Sequence, residues 1–365
     1  QASDNTGTFR GGVAGVANFA APRPVAWSAL PGSNMSKVLR PFIGIDLGGT
    51  NIQVGVVDAQ NQVRGRAKKK TRASEGGAKV LQRLVEGVHE ACEDAGIKPA
   101  AVLGVGIGAP GAIDPRTGVV RQAPNLRWTN FPLARVLGKR LGHRVTVDND
   151  VRAAIYGEWR LGAARGVEDC LGVWIGTGVG GGMILRGQLY HGAFNTAGEV
   201  GHTTLLPGAP YAGASLEDLC SRSAIVKRLV RLIETSHPSM ISELSGGDLS
   251  DVKAKIIAEA FRKGDRLTRR VIEQTAHLLG IAIANFVTTL SLPRVVLGGG
   301  LTEAMGEHLV GLVRKSVREH AYPEVCKHVE VLGTALEADA GLLGAALLAR
   351  EAHGAGRRSS RTPAL

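Results

Sequence analysis

Residues Ile43–Asp58 read IGIDLGGTNIQVGVVD, two short apolar runs joined by a glycine turn with Asp46 before it and Thr50 after it. Short apolar runs bounded by turn residues predict strands, and two in succession predict a hairpin. Glycine has no Cβ, so the main-chain N–H groups of Gly48 and Gly49 can approach phosphate oxygens. Thr50 adds a hydroxyl donor, Asn51 stands next to it, and Asp46 is suited to hold a hydrated magnesium ion. The turn is therefore a candidate phosphate site, with ATP the first ligand to consider. A tight β-turn needs the same two glycines, so the string alone leaves both readings open.

The composition narrows the class. With 365 residues, 44% of them hydrophobic, the chain is long enough for two ordinary domains with buried cores. Fifty glycines against 4% aromatic residues favour an α/β protein with close backbone approaches over a sandwich packed on aromatic rings. No apolar run looks long enough for a membrane span, so no membrane partner is expected. Cys92, Cys170, Cys220 and Cys326 are widely spaced, without CxC or CxxC, which argues against a disulfide framework or zinc knuckle and points to the cytoplasm. The net charge is +12, but the basic residues are scattered. The one dense run, Arg64–Arg72 (RGRAKKKTR), lacks interleaved aromatics and reads as the solvated face of a strand, so no nucleic-acid partner is expected. A basic surface also steers anionic small molecules, nucleotides included.

Residues 1–36, rich in Gly, Ala, Ser and Pro and without a signal-peptide pattern, predict a disordered extension, and Met35 marks a candidate natural start. A first α/β unit over 37–150 takes in the hairpin, a helix near Ala78–Ala95, and strands over AVLGVGIGAP and RVTVD. The second, 151–352, opens with a helix from Val151 and a strand LGVWIG, then a glycine turn GTGVGGG and a strand MILRG. Helices near Asp251–Lys263 and Leu267–Leu290 follow, then a strand RVVLGGG, a helix from Thr302, a strand HVEVLG and a closing helix from Ala338 that is expected to pack back on the first unit. Residues 353–365 read as a disordered basic tail. IGIDLGGTNIQVGVV and LGVWIGTGVGGGMIL share strand, Gly-Thr-containing turn and strand, an echo that predicts two related domains facing one nucleotide.

Three strings match or approach the pattern GxGxxG, at Gly106–Gly111, at Gly176–Gly181 and around Gly298–Gly300. The first runs into a turn AIDPRTG and the second into a strand, so neither opens the helix a dinucleotide site needs, and NAD is rejected. The third precedes a helix, which suits Gly299 and Gly300 to the base and ribose side of a nucleotide. Thr177 and Gly178, in the second turn, offer donors that would clamp a triphosphate from the side opposite the first hairpin. Asp150 follows Asn149 at the start of a helix. A carboxylate there often serves only as an N-cap; at a strand end facing a cleft it is also placed to act as a general base, with Asn149 holding a neighbouring hydroxyl. Glu199 and His202 in AGEVGH, with Glu217 downstream, supply the acceptors and donors that a buried polyhydroxy ligand requires, although an isolated His near Gly is more often structural.

In this order, DLGGT, GIGAPG, VDND before a helix, GTGVGG, AGEVGH, LGGG and ADAGLLGAA resemble ROK-type sugar kinases, of which bacterial glucokinases are the best-known members. The match runs from about Phe42 to Leu348. The resemblance implies the two-domain actin-like ATPase (ribonuclease H-like) fold with an active-site cleft between the domains, ATP and Mg2+ as cofactors, a homodimer, and phosphoryl transfer to a hexose, the 6-hydroxyl of glucose first. It implies Asp150 as the base, Asn149, Glu199, His202 and Glu217 as hexose ligands, Gly111 as a backbone contact on the sugar side, and Asn125 in APNLRW on the same pocket. One departure is plain. Many members follow the GH motif with a cysteine cluster that binds zinc together with the His, whereas TTLLPGAPYAGASLE has no cysteine. Zinc is not expected there, and His202 needs another orienting contact, such as a backbone group or Thr203. The resemblance leaves open N-acetylmannosamine, N-acetylglucosamine or fructose as acceptor and polyphosphate as donor. It also covers sugar-responsive transcription regulators, for which the roughly 36 residues before the first strand are too short to hold a winged helix-turn-helix.

Overall fold

The structure is a computed structural model and describes residues 41–208, 213–250 and 252–359. The extension expected over residues 1–36 lies outside the described residues. The described residues begin with β1 (Phe42–Leu47), β2 (Asn51–Val57), β3 (Val63–Lys70), α1 (Gly77–Asp94) and β4 (Val105–Ala109). Three short strands follow, β5 (Ala112–Asp114), β6 (Val119–Ala123) and β7 (Trp128–Phe131), then α2 (Leu133–Leu141), β8 (Val145–Asn149) and α3 (Asp150–Leu161). The second half continues with β9 (Cys170–Ile175), β10 (Val179–Leu185), β11 (Gln188–Leu189), α4 (Leu216–Cys220), α5 (Arg222–Glu234), α6 (Ile241–Leu244) and α7 (Ala254–Arg262). It closes with α8 (Arg266–Leu290), β12 (Arg294–Gly298), α9 (Gly300–Met305), α10 (Glu307–His320), β13 (Glu330–Gly333) and α11 (Ala340–Ser359).

Two five-stranded sheets repeat one plan. In the first the order is β3-β2-β1-β4-β8, in the second β11-β10-β9-β12-β13, and in each an antiparallel hairpin pair gives way to two parallel neighbours. The echo between the two hairpins seen in the sequence is thus carried through whole sheets. Strand β1 is buried along nearly its full length, as expected of an apolar run in a sheet covered on both faces. Edge strand β3 alternates, with Arg64, Arg66, Lys68 and Lys70 exposed; charge on an edge discourages pairing with another chain.

Helix α11 is seated on the first sheet. Leu342, Leu343, Ala346 and Ala349 pack with Phe42 and Val57, and a Cβ built on Gly44 or Gly106 would fall on the carbonyl oxygen of Leu342 or Ala345. These two glycines, central in β1 and β4, set how closely the helix approaches. Gly106→Ala is expected to lower the free energy of unfolding by about 1–3 kcal/mol, because the obstructing atom is main chain and cannot rotate away. Urea denaturation measures this, and an unchanged midpoint would show that α11 can slide off β4 freely.

Several expectations need correcting. The turn GTGVGGG is shorter than expected: Val179–Gly182 already belong to β10. Gly180 and Gly182 answer packing rather than turning, since a Cβ on Gly180 would lie 2.6 Å from Val151 Cγ2 and one on Gly182 2.8 Å from Ile155 Cγ2. AID, expected in a turn, is strand β5 of a small antiparallel sheet β5-β6-β7. Helix α9 starts at Gly300, two residues before Thr302. The closing helix runs through Ser359, past residue 353 where the basic tail was expected to begin. Finally, α8 is 25 residues long and, by length and composition, apolar enough to cross a membrane. It is the central helix of the second core, with Val271, Ile272, Leu279, Ile283 and Val287 buried.

Candidate active site

The carboxyl ends of β1, β4 and β8 lie side by side, Asp46 opposite Gly108 and Ala109 opposite Asn149. Ligands of open α/β sheets bind beyond such ends. Asn149 has extended backbone and is the N-cap of α3, its Oδ1 accepting from Val151 N at 2.9 Å and Arg152 N at 3.1 Å. Its Nδ2 donates to Gly111 O at 3.2 Å. The sequence offered Asp150 for the capping role; the structure gives it to Asn149, which leaves the Asp150 carboxyl out of the cap, accepting from Val151 N at 2.9 Å.

Two carboxyls at these strand ends are held above their ordinary range. Burial, and then the charge of Asp150 and of Glu303, push Asp46 up to about 7. Burial pushes Asp150 up to about 6, with the Val151 N–H bond acting against it and the charge of Glu199 adding to it. Carboxylates that raise one another's pKa gain from a nearby proton or cation. The donors are all oxygens, the set preferred by a hard cation such as Mg2+. Asp46 also packs against the first turn of α11, where a Cβ on Gly341 would be 3.1 Å from its Cγ.

On the phosphate side, Gly48 N donates to Asn51 O at 2.9 Å and Thr71 Oγ1 donates to Gly48 O at 2.6 Å, closing the hairpin turn. Among the described residues the amides of the exposed Gly49 and Thr50 have no protein acceptor, which leaves them for a ligand. Asn51 Oδ1 accepts from Lys70 Nζ at 3.0 Å. The turn leans on Asn125, whose Cβ is 3.3 Å from a Cβ built on Gly49, so Asn125 stands at the boundary of hairpin and sugar side. In the second turn Arg222 N donates to Gly176 O at 2.9 Å and Ser223 Oγ to Thr177 O at 2.7 Å. The start of α5 thereby holds the carbonyls of Gly176 and Thr177, while the Thr177 and Gly178 amides have no acceptor among the described residues. Gly299 caps α9 against the Ile175 backbone at the end of β9, with Gly300 the first helical residue.

The sugar-side residues are more dispersed. Glu199 precedes a 3-10 turn, Val200–His202, and its side chain lies open, near enough to Asp150 to raise it. His202 is 70% exposed with Nε2 3.9 Å from Glu199 Oε2. Among the described residues no hydrogen bond joins the Thr203 side chain to it; the Thr203 hydroxyl donates to Val200 O at 2.7 Å. Glu217, on α4, accepts from Val179 N at 2.8 Å and sits where a Cβ on Gly178 would be. One Glu217 oxygen thus braces the second glycine turn, a role the sequence did not suggest.

Four residues of the region escaped the sequence reading. Asp148 is buried and accepts from Arg152 Nε at 2.6 Å, from its neighbour's amide, Asn149 N, at 2.7 Å, and pairs with His191 Nε2 at 2.7 Å. Burial works to raise it, but the His191 bond and the Arg152 charge outweigh burial and hold it below the usual range. Arg152 Nη1 reaches Asn195 O at 2.8 Å. The group ties the start of α3 to the segment leading to Glu199. The one available signal was Asp148 itself, the first carboxylate of VDND.

Residues 42–352 match the sequence model of the ROK family. A glucokinase of Thermotoga maritima is 34% identical over 315 residues, 85% of this chain and 97% of that one. A ROK family glucokinase from Streptomyces griseus, solved in complex with glucose and AMPPNP, has a TM-score of 0.78 at 32% identity and covers 85% of this chain and 99% of its own. A ROK hexokinase from Thermus thermophilus gives 0.69 at 32% identity, covering 87% and 100%.

Proposed function

The chain belongs to the ROK family, and from that premise we propose that it is a glucokinase, moving the γ-phosphoryl group of ATP to the 6-hydroxyl of glucose. Its fold is the two-domain actin-like ATPase fold of ROK sugar kinases. We take residues 37–150 and 151–352 as the two domains, closing on the sugar to exclude water.

The observation that carries the reading is the state of Asp150, a carboxyl freed from capping by Asn149 and raised to about 6. A base with that affinity takes a hydroxyl proton near neutral pH. As the sugar oxygen bonds to the γ-phosphorus and the bond to the β-bridging oxygen breaks, the hydroxyl proton passes to Asp150 and ADP leaves. The free amides of Gly49, Thr50, Thr177 and Gly178 would hold the phosphate oxygens and meet the charge they carry, which is the larger part of phosphoryl-transfer catalysis. Mg2+, when bound, would neutralise phosphate charge, and Asp46 is the residue to hold it, through water. Glu199, His202, Asn149 and the Gly111 carbonyl region would receive the sugar hydroxyls, with Asn125 and Glu217 bordering them. Gly299 and Gly300 would flank the nucleoside. We assign the protein to the cytoplasm, where its four free, buried cysteines meet a reducing environment, and expect a homodimer with no nucleic-acid or membrane partner.

An ADP-release assay over a hexose panel, repeated for sugar-phosphate formation with polyphosphate, tests the assignment. Glucose with ATP should give the highest kcat/KM. A preference for N-acetylmannosamine, N-acetylglucosamine or fructose, or for polyphosphate, would replace it with another kinase activity of the same family.

A further inference from the structure

The structure assigns a second cation site, distinct in chemistry from the carboxylate pair, to His277 on α8 with Glu319 and His320 on α10: a site for a divalent transition-metal ion of the zinc class. One donor atom from each of the three lies within 4.8 Å of the others. Two imidazoles and a carboxylate are the set that borderline divalent ions select over Mg2+, and the exposure of all three leaves room for water to complete the shell.

The packing explains why these groups meet. A Cβ on Gly280 would collide with the Ser316 side chain, so this glycine lets α8 and α10 approach closely one turn beyond His277. The two imidazole rings then stand edge to face with centroids 5.1 Å apart. Ser316 also fixes the proton positions. Its carbonyl accepts from His320 Nδ1 at 2.8 Å, and a carbonyl can only accept, so Nδ1 carries the proton and Nε2 of the neutral ring keeps a lone pair. The Ser316 hydroxyl donates to His277 O at 2.8 Å and presents its oxygen 3.4 Å from His277 Nδ1. Outer contacts of this kind are what orient imidazoles as ligands. His320 further lies in the last turn of α10, where the unpaired carbonyls favour a cation. A competing charge at the carboxylate, Lys315, stays 3.9 Å from Glu319, a surface pair that is weak enough to be displaced.

The test is a titration of the chelator-treated full chain with Co2+ in excess Mg2+, followed by ligand-field absorption, then displacement by Zn2+. One Co2+ per chain is expected, with affinity reduced at least about tenfold by Glu319→Gln or His320→Gln and lost in the His277→Ala/His320→Ala double variant. Zn2+ should raise the Tm of the wild type and leave that of the double variant unmoved, because only the folded wild type presents the site. The double variant's unchanged glucose phosphorylation would show that it is folded. Failure of the wild type to bind Co2+ under these conditions, or equal binding by the double variant, overturns the assignment.

Discussion

Asp150→Asn is expected to lower kcat for glucose phosphorylation by about 10²- to 10⁴-fold while glucose affinity, measured without turnover, stays within a few-fold. Asparagine keeps the shape of the side chain and loses the ability to take a proton. The cap of α3 is unaffected, because Asn149 makes it. Wild-type kcat/KM should fall as pH drops through about 6, where the free enzyme's carboxyl becomes protonated, and the residual rate of the variant should be flat over the same range. Stability provides the control. A carboxyl raised from 3.8 to about 6 contributes stability that is full below the unfolded value and lost as pH rises through the folded one. At pH 7 the substitution therefore removes a disfavoured charge, and the thermal midpoint should equal or exceed that of the wild type. A near-normal turnover number would remove Asp150 from the base's role.

What could be read in the sequence was chemistry carried by contiguous strings. DLGGT, VDND and AGEVGH each place a side chain at the end of an element, and Asp46, Asp150 and Glu199 do come together electrostatically. Glycine was the less readable signal, because a glycine that turns and a glycine that admits a neighbour look alike in one dimension. Gly176–Gly178 turn, whereas Gly180 and Gly182 make room for Val151 and Ile155. Roles that depend on partners distant in sequence could not be read at all: Glu217 on Val179 N is separated from it by 38 residues, and His191 on Asp148 by 43. The strands β5, β6 and β7 stayed hidden because AID, VVRQA and WTNF are short and mix apolar with polar residues, leaving too few positions for alternation to register.

Arg152→Met should destabilise the protein by about 3–5 kcal/mol in urea denaturation at pH 7, the usual cost of leaving one partner of a buried ion pair uncompensated. The side chains of Arg152 and Asp148 are 2% and 4% exposed, so water cannot replace the lost guanidinium. His191, 29% exposed, remains a hydrogen-bond partner of Asp148. Asp148→Asn in the Arg152→Met background should cost less than in the wild type, because the stranded charge is then removed, and the double-mutant cycle measures that coupling. The kinetic consequence separates this network from the base. Arg152 also holds Asn195 O, four residues before Glu199, so its loss loosens the segment that carries Glu199 and His202 while Asp150 keeps its place beside Asn149. KM for glucose should rise more than kcat falls, the reverse of the Asp150→Asn pattern. Wild-type stability together with wild-type KM in Arg152→Met would show that the buried pair neither supports the fold nor positions the sugar side, and that Asn195 is held by the loop alone.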